Sequence, residues 1–172
     1  MNYFNTVAPS WVQNHIHYMP HKNKHHGIVL EDIPKGTKLV IALDASSNEY
    51  EIHKELKERG IDVLVIDHHL ADHVSEDAIV INNQLCDYPN KALSGVGMVY
   101  KFCCLFDFLL EQNEADNYLD LVALGMTGDM MDLRSLETKH LINKGFAQVR
   151  SPFIKEMMNK NAYNLGDTLT PM

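Results

Sequence analysis

Two dense apolar runs, each closed by an aspartate, dominate the pattern of the chain. Leu39-Val40-Ile41-Ala42-Leu43 ends at Asp44, and Val63-Leu64-Val65-Ile66 ends at Asp67. Continuous apolar runs of this length predict strands buried on both faces, as in a parallel sheet. Between them, Ser46 and Glu49 have the spacing of a capping box, and a helical stretch follows through Glu51, Leu56 and Lys57 to a stop at Gly60. Strand, helix and strand in this order predict a parallel crossover unit. A third strand is expected over Ile79-Val80-Ile81, ending at Asn82-Asn83.

The flanks read differently. Trp11, Val12, Ile16, Tyr18 and Met19 predict one short buried strand closed by Pro20, with His15 and His17 on one face, and residues 21–36 read as loop. After Pro89 the apolar positions fall at helical spacing. Helices are predicted over about 94–112, 115–127, 136–149 and 153–161, the last behind Pro152. The final ten residues read as the beginning of an element that is cut off. The expected fold class is α/β, a parallel sheet with helices on its faces followed by a mainly helical C-terminal portion. Its parts within one domain are an irregular lead-in (1–36), the sheet segment (37–90) and the helical portion (91–172).

With 172 residues and 45% hydrophobic content, the chain has material for one substantial core. No stretch approaches the roughly 20 apolar residues of a membrane span, and the N-terminus lacks a secretory pattern, so no membrane partner is expected. Three cysteines, two of them adjacent in a helical pattern, do not make a disulfide framework and agree with a reducing, cytoplasmic compartment. A formal charge of −8 with scattered lysines and arginines argues against strong nucleic-acid binding by this chain on its own. The same balance is compatible with a metal site whose ligands are carboxylates.

The crossover rule places Asp44 and Asp67 at one edge of the sheet, where open α/β sheets bind their ligands. There the triplet Asp67-His68-His69 directly follows an apolar run. With Asp44 and Asp129 it forms a carboxylate and imidazole set suited to manganese, zinc or iron. Two such cations about 3.5–4 Å apart can clamp a phosphate and acidify a water. Taken singly, each aspartate reads more readily as a turn or cap residue, and it is their coincidence at one sheet edge that points to a cation. Ser94-Gly95-Val96-Gly97, taken alone, reads as a tight turn before a packed helix. Asp132 reads as a partner behind the site or a helix cap, and Arg134 as a phosphate contact or a solvated side chain. His15, His17, His21, His25 and His26 read as a solvated polar stretch rather than zinc ligands, and Met126, Met130, Met131, Met157 and Met158 as core fillers.

Val65-Ile66-Asp67-His68-His69 resembles the signature of the DHH phosphoesterase superfamily, and its surroundings are similar to the RecJ-type single-strand-specific exonucleases. Leu43-Asp44 matches the family's strand ending in Asp one helix earlier, and Ile81-Asn82-Asn83 the strand ending in Asn that comes after. Ser94-Gly95-Val96-Gly97 matches a small-Gly-Val-Gly helix start, and Ala123-Leu124-Gly125-Met126-Thr127-Gly128-Asp129 an Ala-Leu-Gly…Asp turn. The likeness covers roughly residues 38–150.

This resemblance implies that Asp44 bridges two metals, His68 ligates one of them and Asp129 completes that metal's shell. It implies that His69 contacts the scissile phosphate, that Asp67 orients the histidines, and that Ser94, Gly95 and Gly97 lie near a substrate phosphate. The implied cofactor is a divalent metal, Mn2+ first and Mg2+ as the alternative. The implied activity is phosphodiester hydrolysis on single-stranded DNA, 5′ to 3′. The alternatives are another DHH hydrolase of short oligonucleotides or cyclic dinucleotides, and a non-catalytic relative acting as an interaction module. The family's N-terminal motif of several aspartates and its C-terminal substrate domain find no match in this sequence. The resemblance therefore implies an incomplete catalytic domain whose remainder is a further partner.

Overall fold

The computed structural model describes residues 2–20 and 26–160. In chain order these hold α1 (Asn2–Val7), α2 (Pro9–His15), β1 (Leu39–Leu43), α3 (Tyr50–Glu58), β2 (Asp62–Asp67) and β3 (Ile79–Asn82). Four helices follow: α4 (Gly95–Leu110), α5 (Leu119–Gly128), α6 (Leu136–Ala147) and α7 (Pro152–Lys160). The sheet is parallel in the order β1-β2-β3, and its register pairs Leu43 with Ile66 and Asp67 with Asn82. The carboxyl ends of all three strands therefore lie side by side.

Alternation along the strands divides the core in two. Val40, Val63 and Val65 pack with Leu56 of α3 and with Ile28 on one face. Ile66, with Leu64 and Ile81 beside it, packs on the other face with Leu93, Met98, Met126 and Ile142 of the helical layer. Fully burying side chains of this size is worth about 1.5–3 kcal/mol each, so β2, covered on both faces, anchors the domain. Among the described residues, no helix is long and apolar enough to cross a membrane.

Several expectations are corrected. The short strand over Trp11, Val12, Ile16, Tyr18 and Met19 is absent, because Pro9 opens a helix that runs to His15, and Ile16 is the first extended residue after it. Val12 is buried there, whereas Trp11 and Tyr18 are exposed, and His15 stacks on Trp11 within the helix instead of sharing a strand face with His17. The lead-in is thus partly helical. Tyr3 of α1 donates to Asp107 Oδ1 at 2.7 Å, and Phe4 meets Phe106 edge to face, which docks this helix on α4. The loop histidines His21 and His25 and the final ten residues lie outside the described residues.

β1 is not buried on both faces. Leu39, Ile41 and Leu43 are 50%, 39% and 43% exposed, because β1 lies at the end of the strand order and the α4 side of the sheet is filled mainly from β2 and β3. The capping box does not form either. Ser46 Oγ has no partner among the described residues, and the Glu49 carboxylate accepts the Ile28 N–H at 2.9 Å, tying the lead-in to the start of α3. Met126 fills the core as expected, but Met130 is 90% exposed.

Candidate metal centre

The chain leaves β1 through a turn that L-residues rarely adopt. Asp44 and Ser46 both have positive φ, 61° and 80°, a left-handed conformation that costs a residue with a Cβ about 1–2 kcal/mol. The Asp44 N–H still joins the ladder, donating to Ile66 O at 2.9 Å, so the turn begins at the last strand bond. This reversal sets the Asp44 carboxylate over the end of β2. His68 Nε2 lies 3.3 Å from Asp44 Oδ1. Donor atoms of Asp44, His68 and His69 all lie within 4.8 Å of one another.

Asp67 holds this cluster from below. It is buried, and its Oδ1 accepts the His69 Nδ1–H at 2.7 Å and the His68 N–H at 2.7 Å, while Oδ2 accepts the Ser47 N–H at 3.2 Å. Burial alone would raise its pKa. The hydrogen bonds from Ser47, from the His69 ring and from the two backbone N–H groups outweigh that and hold it below the usual carboxylate value. An ionised Asp67 fixes the His69 ring with Nε2 directed away, the arrangement in which a carboxylate orients an imidazole. The His68 pKa is raised, chiefly by its hydrogen bond to Asp44, against the effect of burial and with help from the charges of Asp44, Asp129 and Asp67. A cation would displace that proton, since an imidazole binds metal only when neutral.

Asn82 links the third strand end to the other two. Its Nδ2 donates to Ser47 Oγ at 2.8 Å and to His69 O at 2.9 Å. Sequence reasoning noticed the Asn82-Asn83 pair only as a strand end and did not single out Ser47. The available signal was an asparagine at the carboxyl end of a strand beside the one that ends in Asp67.

The remaining expected residues divide. Asp129 caps the end of α5, is exposed, and stands outside the group formed by Asp44, His68 and His69, although its charge acts on His68. His69 falls inside that group. Ser94, Gly95 and Gly97 are all buried at the start of α4. A Cβ on Gly95 would overlap the Asp44 carboxylate, so the glycine makes room for it. A Cβ on Gly97 would meet Leu93 at 3.3 Å and Met126 at 3.5 Å, which makes Gly97 a packing residue. Ser94 Oγ is buried without a partner among the described residues. Arg134 donates from Nε and Nη2 to Asp132, and the pair is exposed.

The donor set fits a divalent ion. Two imidazoles and a carboxylate converge at the carboxyl edge of the sheet, and a second, buried carboxylate holds one imidazole from behind.

Comparison with known proteins shows the family and the fold. Residues 2–126 match the model described as the DHH family, N-terminal domain. The SPbeta prophage-derived protein YorK of Bacillus subtilis is 42% identical over 165 residues, covering 95% of this chain and 28% of YorK. The single-stranded-DNA-specific exonuclease RecJ of Haemophilus influenzae is 36% identical over 131 residues, covering 69% of this chain and 23% of RecJ. Among solved structures, exonuclease RecJ bound to manganese has a TM-score of 0.69 at 21% identity, covering 80% of this chain and 37% of that one. The chain thus spans well under half the length of the curated relatives it matches. On the family match, backed by these relatives, the chain belongs to the DHH family, with residues 2–126 corresponding to that family's N-terminal domain.

Proposed function

We propose that this chain carries the metal-dependent phosphodiesterase centre of a RecJ-like exonuclease that degrades single-stranded DNA from 5′ to 3′. The observation that carries the reading is the convergence of Asp44, His68 and His69 at the carboxyl edge of the sheet in a DHH-family chain. Similarity to relatives named as single-stranded-DNA-specific exonucleases supports the substrate class. In this reading Asp44 and His68 hold the cation, with Mn2+ preferred and Mg2+ as the alternative. Asp129, at the end of α5 outside the Asp44–His68–His69 group but with its charge acting on His68, completes the shell. When bound, the cation neutralises phosphoryl charge and lowers the pKa of a water. Asp67 keeps the Nδ1 proton of His69, whose side chain is 59% exposed, so that Nε2 faces a phosphoryl oxygen and donates to it when protonated. Ser94 and Gly95 bring the partial positive charge of the α4 N-terminus to the same edge.

The site is completed from outside these residues. β1 has an unpaired edge among the described residues and an apolar face open on one side. A further strand paired there would end beside Asp44 and supply the ligands that a two-metal clamp still needs. With a charge of −8, the chain leaves most phosphate-backbone contacts to that remainder. Three unpaired cysteines support placing the protein in a reducing, cytoplasmic compartment.

Calorimetric titration with Mn2+ tests the reading. The chain is expected to bind with micromolar affinity and His68→Ala to abolish binding; a chain indifferent to Mn2+ would overturn it. On labelled single-stranded DNA the isolated chain is expected to be orders of magnitude slower than a complete exonuclease.

A further inference from the structure

A cleft of about 950 Å3 opens beside Asp129, between the loop of residues 88–92 and the segment of residues 129–137. Asp129 lines this cleft, and its charge acts on His68 of the candidate metal centre, which sets the cleft next to that centre. The cleft presents apolar side chains to solvent: Met130 is 90% exposed and Leu136 84% exposed, with Pro89 exposed on the opposite wall. Met130 has φ 52°, a left-handed backbone that glycine would adopt with less strain. A strained, exposed methionine beside a reactive centre is of no use to the core, and such outliers cluster at ligand sites.

The walls are braced against each other. Glu137 accepts from Tyr88 OH at 2.8 Å, from Asn90 Nδ2 at 3.0 Å and from Lys101 Nζ at 2.9 Å. Thr138 Oγ1 donates to Ala92 O at 2.7 Å. These bonds also engage the polar groups of the 88–92 wall. Asn90 Oδ1 accepts the Ala92 N–H, and Lys91 Nζ donates to the carbonyls of Asn83 and Cys86. Beside the carboxylates of Asp129 and Asp132 and the Ser135 hydroxyl, what the cleft offers a ligand is an open apolar surface.

We propose that this cleft holds a nucleobase of the strand whose phosphate lies at the Asp44–His68–His69 cluster, and that it holds any base alike. The inference rests on the phosphodiesterase reading and specifies how the substrate is gripped. Contact with a base face is indifferent to sequence because every base has one, whereas edge recognition needs free hydrogen-bonding groups. An enzyme that removes successive nucleotides needs this kind of grip.

The test is methyl NMR of the full chain labelled at methionine, with Mg2+ in place of paramagnetic Mn2+. The probes are the tetranucleotide (dA)4 and the same backbone with abasic residues. The expected result is an upfield ring-current shift of the Met130 and Met131 methyls with (dA)4 and none with the abasic strand. In fluorescence anisotropy, Leu136→Ser and Met130→Gly are expected to weaken (dT)6 binding about tenfold each, the order of one buried apolar side chain lost from a contact. Met130→Gly also relieves the backbone strain, so weakened binding in a variant at least as stable as the parent cannot be a folding defect. Equal methyl shifts with the abasic strand would overturn the proposal. Unmoved methyls in a chain that binds Mn2+ would overturn it while leaving the metal reading intact. Methyl shifts that follow protein concentration without oligonucleotide would give the cleft to a second copy and also overturn it. Failure to bind Mn2+ would remove the phosphodiesterase reading, and the methyl response to (dA)4 would then decide the base site separately.

Discussion

Gly95 and Asp44 share one space: the Asp44 carboxylate lies against the Gly95 Cα, where any Cβ would overlap it. The small-Gly-x-Gly signal at the start of α4 is therefore explained at its first glycine by the site and at its second by packing against Leu93 and Met126. Gly95→Ala is expected to push the Asp44 side chain away from His68. Mn2+ affinity should fall tenfold or more in calorimetry, while stability falls by no more than about 1–3 kcal/mol, as for other overpacked positions. Unchanged Mn2+ affinity would show that Asp44 is not a ligand.

His68 and His69 are adjacent, with ring centroids 4.5 Å apart, yet they have different partners. His68 pairs with Asp44 and His69 with Asp67. If His68 is the ligand and His69 the phosphate contact, His68→Ala loses Mn2+ binding. His69→Ala then keeps Mn2+ affinity within a few-fold and loses turnover of a single-stranded oligonucleotide. Equal loss of Mn2+ affinity in both variants would instead make His69 a ligand.

Asn82 holds Ser47 and the His69 carbonyl together. Asn82→Ala leaves the buried Ser47 hydroxyl without that donor and frees the loop after β2. The expected cost is about 1–3 kcal/mol in urea unfolding, the range for a buried polar group left unsatisfied. A cost near zero would mean that the strand ends do not depend on this link.

His53 on α3 is fully buried, and neither ring nitrogen has a hydrogen-bond partner among the described residues. Burial lowers its pKa below 6.5, with the charges of Glu49 and Asp77 and the nearby Ser46 backbone opposing only in part. The unfolded chain takes up a proton below 6.5 that the folded chain refuses, so His53 costs stability progressively as pH falls from there toward its folded value. The slope is at most about 1.4 kcal/mol per pH unit. His68 acts in the opposite sense in the metal-free chain. Its raised pKa stabilises the fold below 6.5, and that contribution is lost as pH rises through the folded value. His53→Leu should therefore gain stability over the parent steadily between pH 7.5 and 5.5 in urea midpoints; a constant difference would refute the assignment.

Much of the candidate site is legible in the sequence. A run such as Val63-Leu64-Val65-Ile66 and the charged triplet behind it are local facts, and the crossover rule alone sets Asp44 beside Asp67. The four C-terminal helices follow from apolar spacing in the same way. Less legible were the features that depend on a neighbour distant in sequence. Val12 and Tyr3 belong to helices because Pro9 opens one of them and Asp107 and Phe106 receive the other. An apolar run specifies burial in principle, but only the strand order leaves Ile41 open on the edge while Ile66 is enclosed.

Short segments of sequence specify the type of strand, the residues at its end and the family they belong to, because apolar run length, helical period and an Asp-His-His triplet are local properties. Tertiary structure decided which donors meet. The left-handed turn at Asp44 and the absent side chain of Gly95 bring one carboxylate to His68, while Asp67 is withdrawn beneath the histidines. Asp129 stands off at the end of α5, beside a cleft that no local pattern announces. Those distances follow from how α4 and α5 pack on the sheet, and packing between distant segments is what a linear pattern does not record.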